Sequence, residues 1–214
     1  MRKGLEDEIA QVKQKGNRMY YVFDMQVPGA IFIKLADWAR PHIDVKRVGQ
    51  EIVETVQRTG ELPTRFVCRL LPVDFLCKAN KFEDFKLLAM PVMKRYFPLK
   101  DGAKDLDSIT HVQWCLEFRK RNNDKIEKRA YIDWIMEKIE PSKTSICHDY
   151  ADVEIIIEVF RDMLVMAVLP GYKRDFKKYN LQMLAGITGA GDDDENGEGR
   201  PTVNVAELIK RRKE

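Results

Sequence analysis

Basic side chains cluster where two predicted strands end, and they are the residues of this chain best suited to chemistry. Four basic residues and one acid occupy 119–125, and four basic residues and one acid occupy 172–180. Arginine and lysine in such runs neutralise phosphates, and the Asn122 and Asn123 amides can pair with riboses or base edges. The two runs predict contact with nucleic acid, whereas an ordinary lysine-rich surface is the alternative.

The charge of the chain is unevenly distributed. All 214 residues sum to only +3, but residues 187–214 carry −2 and residues 1–186 carry +5. A small net charge alone would not suggest a polyanionic partner, whereas this distribution does. Aromatic side chains lie beside the basic runs and offer stacking to bases. These side chains are Phe118, Tyr172, Phe176 and Tyr179.

Residues typical of enzyme active sites are sparse. Only three serines occur, none within a G-x-S-x-G turn, and the chain has neither a Walker loop nor a dinucleotide fingerprint. Glu154 and Glu158 share a strand face, but about 3.3 Å per residue separates them by roughly 13 Å, more than glycosidase carboxylates use. We interpret them as solvated or salt-bridged strand residues, and we predict no catalytic residues and no cofactor.

The four cysteines are Cys68, Cys77, Cys115 and Cys147, and none forms a C-x-x-C pair. A zinc site with nearby histidines is disfavoured, because Cys147 and His148 are adjacent and point apart on an extended segment. Ordinary reduced thiols are predicted, and with them the interior of the cell. The first residues contain no apolar signal region, and no apolar stretch reaches the roughly 20 residues that a spanning helix needs.

The first third of the chain predicts the element order α-β-β-α-β. The predicted elements are a short amphipathic helix over 5–15, a hairpin of strands 20–26 and 30–35, a helix capped by Asp44 and Gly60, and a strand over 65–71. The last strand would place Arg65 and Arg69 on one face. This order is a ferredoxin-like unit that lacks its first strand.

The remainder of the chain predicts the order α-α-β-α-β-β. The predicted elements are a helix over 80–90, a short helix beginning at Pro91, a strand over 111–118, a helix over 125–139, and strands over 153–160 and 163–169. The last strand is apolar on both faces, which indicates a central position in a covered sheet. From Gly186 onward glycine and acidic residues dominate, which is typical of a flexible tail.

Three ordered motifs resemble the THUMP-domain tRNA-acetylation adaptor family. They are Arg65-Phe-Val-Cys-Arg-Leu-Leu-Pro72 with Cys77-Lys-Ala79, Phe118-Arg-Lys-Arg-Asn-Asn123, and Phe176-Lys-Lys-Tyr-Asn-Leu-Gln182. The resemblance covers roughly residues 20–184. It implies an α+β chain with a partial ferredoxin-like subdomain over 1–71, a THUMP domain of order α-α-β-α-β-β over 72–184, and a flexible acidic tail over 185–214 that ends in a basic run.

The resemblance also implies a non-catalytic role in tRNA modification. Members of the family bind tRNA at its acceptor-stem end and present serine and leucine tRNAs to an RNA cytidine acetyltransferase that makes 4-acetylcytidine. We therefore expect these two partners and no membrane contact. The basic run Leu208-Ile-Lys-Arg-Arg-Lys213 in the tail is either a nuclear-import signal or a loose RNA contact, and the expected location is the nucleus or nucleolus as well as the cytoplasm. Two alternatives stay open: a small tRNA-modifying enzyme with an unrecognised site, and a general RNA-binding interaction module in ribosome assembly.

The residues that the resemblance carries over as RNA contacts are all basic or amide side chains. The first group is Arg119, Lys120, Arg121, Asn122, Asn123 and Lys125, and the second group is Arg69, Lys78, Lys173, Arg174, Lys177 and Lys178. No metal ligand is expected. Two structural alternatives accompany these predictions: Arg69 pairs with an acid inside the interface between the two subdomains, and Tyr179 and Leu181 pack in the core.

Overall fold

The computed structural model describes residues 18–64, 66–100 and 110–187, and these residues form an α+β fold. In chain order the elements are β1 (Tyr20–Asp24), β2 (Ile31–Leu35), α1 (Val45–Thr59), β3 (Phe75–Lys78), α2 (Phe82–Tyr96), β4 (Val112–Arg121), α3 (Lys128–Lys138), β5 (Thr144–Ile146), β6 (Val153–Phe160), β7 (Met163–Pro170) and α4 (Leu181–Leu184). The α+β class is confirmed. The predicted helix over 5–15 and most of the predicted tail lie outside the described residues.

A five-stranded sheet of order β3-β7-β6-β4-β5 forms the centre of the molecule. The β3–β7 and β7–β6 pairs are antiparallel, whereas β4 runs parallel to both β6 and β5. Strands β6 and β7 are buried over nearly their whole length and are joined by the two-residue turn at Arg161 and Asp162. The predicted central position of the last apolar strand is confirmed.

Helices α2 and α3 cover one face of this sheet. Phe85 and Ile135 from the two helices pack against the strand residues Ile155 and Ile157. The Phe85 and Tyr131 rings meet edge-on at 4.8 Å between centroids, and the Tyr131 hydroxyl donates to the Ala79 carbonyl at 2.6 Å. Within the described residues, no helix is long and apolar enough to cross a membrane.

Helix α1 packs on the opposite face of the same sheet. Its Val53 and Val56 are buried against Ile156, Ala167 and Leu169. The predicted caps are confirmed: the Asp44 carboxylate accepts from the amides of Lys46 and Arg47, and Gly60 adopts a left-handed conformation with φ 68°.

The predicted hairpin β1–β2 is confirmed, but its two strands form a sheet of their own and pair with no further strand among the described residues. The described segment 66–71 does not form the predicted strand. It makes a single antiparallel bridge between Arg69 and Asn180, formed by the hydrogen bonds from Leu70 N to Tyr179 O and from Leu181 N to Cys68 O. β-forming residues alone therefore gave the wrong prediction. The domain bounds at 71 and 184 stay a prediction.

The predicted break at Pro91 is also wrong, because α2 continues through this proline. The amide that Pro91 lacks would have bonded to the carbonyl of Leu87, and the Leu87 side chain is 76% exposed. Water can therefore solvate that carbonyl, which makes a proline tolerable on the outer side of a helix. The short strands β3 and β5 and the short helix α4 were not predicted, so the observed order from residue 75 is β-α-β-α-β-β-β-α.

Gly49 lies where α1 packs against Pro72, in the segment that precedes β3. A substitution at Gly49 therefore tests this contact. Glycine to alanine normally stabilises a helix by up to about 1 kcal/mol, but a Cβ at Gly49 would lie 2.9 Å from Pro72 Cγ. We expect Gly49→Ala to lower the free energy of unfolding by about 1–2 kcal/mol in urea denaturation, because the rigid ring must move. The exposed Thr55→Ala in the same helix should instead be neutral or slightly stabilising, and equal effects would contradict this packing.

Candidate nucleic-acid interface

Among the described residues, the face of the sheet that carries α1 is only partly covered at one end. There the strand register places one residue from each of four strands in a line across the sheet, and we call this line the open row. It consists of Lys78 on β3, Met163 on β7, Phe160 on β6 and Arg121 on β4. With strands about 4.8 Å apart, the Cα atoms of Lys78 and Arg121 are roughly 14 Å apart.

The open row combines cations with apolar surface. Lys78 and Arg121 are exposed, whereas Phe160 and Met163 are half-buried. The Arg121 guanidinium carbon lies 5.8 Å from the centroid of the Phe160 ring, within the range of a cation–π contact. The structure thus brings together Lys78 and Arg121, which are 43 residues apart in the sequence.

The loop after β4 is shaped by one of the predicted RNA contacts. The Asn123 side-chain oxygen accepts from the amides of Lys125 and Ile126, and its amide nitrogen donates to the Arg161 carbonyl. Asn123 therefore holds the loop against the β6–β7 turn. Asn122 adopts a left-handed conformation with φ 54° and is exposed.

Two lysines of the first predicted group lie in or beside this loop and face solvent. Lys120 is exposed, and its ammonium donates to the Ile126 carbonyl at 3.3 Å. Lys125 is also exposed. Together with Arg121 they concentrate positive charge at the end of β4, which is the arrangement that the basic run predicts.

The row next to the open row carries a buried ion pair. Glu158 on β6 is 5% exposed, and its Oε1 lies 2.8 Å from a guanidinium nitrogen of Arg69. The same nitrogen of Arg69 donates to the Tyr172 hydroxyl at 2.7 Å. Arg69 is thus paired with an acid in the interior, which is the structural alternative named for it.

A second charged group surrounds Glu117. One of its carboxylate oxygens lies 2.8 Å from the Lys173 ammonium and the other accepts from the Arg119 guanidinium at 2.9 Å. The Lys173 ammonium also lies 3.7 Å from a carboxylate oxygen of Glu154, which is fully buried. Glu154 and Glu158 are therefore salt-bridged, which is one of the two interpretations drawn from the sequence. The other interpretation, that these glutamates are solvated, is wrong.

Burial changes the acid–base properties of this group. Burial raises the pKa of Glu154, although the Lys173 backbone amide and ammonium act in the opposite direction. Burial, with the Glu154 charge, also raises the pKa of the Cys115 thiol to about 12, so the thiol stays protonated and donates to Glu154 at 3.3 Å. A protonated, buried thiol is a poor nucleophile and a poor metal ligand.

The cysteines of the chain are free thiols. Cys77 and Cys115 are buried, whereas Cys68 is exposed. Burial raises the pKa of Cys77 to about 11. Among residues 18–64, 66–100 and 110–187, no group of three or more His, Cys, Asp or Glu side chains is arranged to hold a metal ion.

The second basic run forms an unusual turn. Lys177, Lys178 and Tyr179 have φ values of 43°, 58° and 57°, so three consecutive non-glycine residues are left-handed. Lys177 and Lys178 line a cleft of about 330 Å³ together with Lys173 and His148. Arg174 is instead paired with Asp152 and Asp175 at 2.9 and 3.0 Å.

The aromatic residues predicted for stacking mostly belong to the core. Phe118 is 8% exposed, Tyr172 is inaccessible and Tyr179 is 2% exposed. The Tyr172 and Tyr179 rings stack on each other with their centroids 6.0 Å apart. The stacking prediction is wrong for these three residues, whereas the packing alternative for Tyr179 is right. Leu181 is also buried, as its packing alternative predicted.

Sequence reasoning missed three residues of this interface, Phe160, Arg161 and Met163. Arg161 is exposed in the β6–β7 turn, and its guanidinium donates to the Gln26 side chain of the first hairpin. The sequence offered one signal for these residues, which is their position. Because β4 and β6 run parallel, the turn between β6 and β7 lies at the same margin of the sheet as the end of β4. Only the β4–β6 register reveals that Phe160 lies beside Arg121.

Comparison with known proteins points to distant relatives. The chain is 26% identical over 167 residues to the THUMP domain-containing protein 1 homolog of Drosophila melanogaster, which covers 77% of this chain and 47% of the relative. It is 21% identical over 183 residues to THUMP domain-containing protein 1 of Mus musculus, with 83% and 48% covered. The chain spans about half the length of these curated relatives. No protein-family model and no solved structure matches it.

The Arg69–Glu158 pair provides a test of this arrangement. Glu158→Leu should lower the free energy of unfolding by about 3–5 kcal/mol, because it leaves the Arg69 guanidinium buried without a counter-charge. The double variant Arg69→Met with Glu158→Leu should recover about half of that loss or more, since no charge then remains buried. Chemical denaturation of the two variants provides the measurement, and equal destabilisation would contradict a direct pair.

Proposed function

We propose that this chain is a non-catalytic, THUMP-type RNA-binding protein that presents tRNA to an RNA cytidine acetyltransferase for 4-acetylcytidine formation. The observation that carries the RNA-binding part is the concentration of exposed cations at one margin of the sheet, on the open row and the loop after β4. Lys78, Lys120, Arg121 and Lys125 are exposed there. The distant similarity to two THUMP domain-containing proteins supports the same assignment.

The division of the basic residues supports a specific RNA surface rather than a uniformly basic one. Arg69, Lys173 and Arg174 are held by carboxylates within the chain, so a phosphate would have to displace those carboxylates. The exposed cations at the end of β4 form no ion pair with a carboxylate among the described residues, so a phosphate would not have to displace one. RNA therefore binds first through Lys120, Arg121 and Lys125, with Lys78 across the sheet and Lys177 and Lys178 as a second, separate contact.

An enzymatic role would require a reactive side chain that solvent and substrate can reach. The acids of the sheet are instead buried in ion pairs, and the buried Cys115 thiol has a raised pKa. These side chains stabilise the fold, which favours a binding role over catalysis. The proposal also includes the acceptor-stem end as the bound region and serine and leucine tRNAs as the substrates, and both rest on the family resemblance. It further includes a nuclear or nucleolar location, which rests on the basic run over 208–213 in the sequence.

The RNA surface can be tested by removing its charge. The variant Lys120→Gln, Arg121→Gln and Lys125→Gln should bind tRNA about ten-fold more weakly at 0.1 M salt in a gel-shift assay. The slope of log affinity against log salt should become shallower by about 0.7 for each phosphate that the variant no longer neutralises. A control variant, Lys94→Gln with Lys100→Gln, removes exposed charge elsewhere and should bind like the native chain. Equal weakening in both variants would mean that the surface is unspecific.

The adaptor role can be tested by reconstitution. The purified chain with acetyl-CoA and tRNA should yield no 4-acetylcytidine, whereas addition of an RNA cytidine acetyltransferase should yield it on serine tRNA. The Lys120, Arg121 and Lys125 variant should lower this yield, and the Lys94 and Lys100 control should not. Product formed by the chain alone would instead establish an enzyme, and comparable affinity for any structured RNA, without an effect on acetylation, would favour the interaction module.

A further inference from the structure

The first hairpin has an edge at which a further strand can pair. Among residues 18–64, 66–100 and 110–187, β1 pairs with β2 alone, so its outer edge has no neighbouring strand there. We propose that this edge is a dimer interface, at which the β1 strands of two copies of the chain pair antiparallel about Val22. The inference goes beyond the proposed RNA-binding function and does not depend on it.

Strand β1 is the outer strand of the hairpin. All five of its residues are exposed, whereas three of the five residues of β2 are half-buried. The hairpin is anchored at its turn, where Val27 is buried and the Arg161 guanidinium donates to the Gln26 side chain. Edge strands usually carry a lysine, a proline or a bulge that prevents pairing, and β1 has none of these. Its edge is therefore accessible and unprotected.

The hydrogen bonds of the hairpin show which backbone groups of β1 point outward. The Ala36 amide donates to the Met19 carbonyl, and with this register residues 19, 21 and 23 are the ones that bond to β2. The amides and carbonyls of Tyr20, Val22 and Asp24 therefore point to the outer edge. Pairing about Val22 places Tyr20 opposite Asp24 of the second copy, so all of these groups find partners.

The side chains on both faces of this pairing are self-complementary. On one face, Tyr21 lies opposite Phe23 of the second copy, in a non-hydrogen-bonded pair where side chains approach most closely. The Phe23 and Phe32 ring centroids are 6.5 Å apart, so three rings follow one another across the joint sheet. On the other face, Val22 and Ile33 of both copies form one continuous row of β-branched side chains.

The charges along the hairpin are also compatible with a second copy. The single charged residue of β1 is Asp24, which pairing about Val22 places diagonal to Arg18 of the second copy. Lys34 lies opposite Tyr21 within each hairpin, so each row of three rings ends beside a cation. No two like charges lie opposite each other in this register. A second copy therefore satisfies the edge without any charge repulsion.

The size of the interface determines how strong the association is. A two-stranded hairpin is only marginally stable in water, and two hairpins joined at β1 form one four-stranded sheet with two-fold symmetry. Pairing of two five-residue strands buries less than the roughly 1,600 Å² of a standard interface. We therefore expect a reversible dimer with a dissociation constant on the order of 10 µM.

Analytical ultracentrifugation of the full chain measures this association. The native chain should change from monomer to dimer between about 1 and about 200 µM. Val22→Pro removes an amide that points outward and spares the bonds to β2, because proline is tolerated where the N–H faces solvent. It should weaken the association about ten-fold or more. The matched control Val22→Ile keeps the amide and the β-branched side chain, and it should associate like the native chain.

A charge exchange tests the register itself. Tyr21→Glu and Phe23→Lys each place a charge opposite an aromatic ring of the second copy, and each variant alone should associate about ten-fold more weakly than the native chain. In an equimolar mixture, position 21 of one variant faces position 23 of the other, so the two new charges pair and one Tyr21–Phe23 contact remains. The mixture should recover association to within about three-fold of the native chain.

The outcomes decide the interface directly. Recovery in the mixture, with loss in Val22→Pro and retention in Val22→Ile, supports it. A native chain that stays monomeric throughout overturns it, and so does association that persists in Val22→Pro, because another surface then joins the copies. A mixture that associates no better than its single variants also overturns it. The mixture reports a gain of association, so this test does not depend on how well Val22→Pro folds.

Discussion

The ion pair between Arg69 and Glu158 is the interaction on which the arrangement of this molecule depends. It joins the segment that precedes β3 to the middle of β6, and the Tyr172 hydroxyl adds a third element to the same point. Burying both charges is costly unless each is satisfied by the other. The pair therefore holds this segment against the sheet.

The basic residues of the face that carries α1 have two different roles. Towards the start of β4 and β6 the carboxylates of Glu117 and Glu154 bind the Lys173 ammonium, and these ion pairs stabilise the fold. Towards the end of β4, Arg121 and its neighbouring lysines face solvent beside a half-buried ring. Basic residues that look alike in the sequence therefore differ in the structure. Some are counter-ions of buried acids, whereas others are exposed and can bind a polyanion.

Local patterns determined much of the fold. The first hairpin, the caps of α1 at Asp44 and Gly60, and the β6–β7 hairpin follow from turn residues and apolar periodicity over short stretches. Residues 66–71 could not be predicted in this way, because their hydrogen bonds go to a segment about 110 residues later. The interface was half predictable: charge identified Arg121, but only the register across four strands shows that Phe160 and Lys78 lie in the same row.

The left-handed turn at Lys177, Lys178 and Tyr179 has a consequence for the dynamics of the chain. Each non-glycine residue in this conformation costs about 1–2 kcal/mol, so the turn stores conformational energy that burial of Tyr179 must offset. The hydrogen bonds from Lys178 N to Tyr172 O and from Leu70 N to Tyr179 O depend on the same conformation. Opening of this turn would release the 66–71 crossing with it, so the two segments form one cooperative unit of local unfolding.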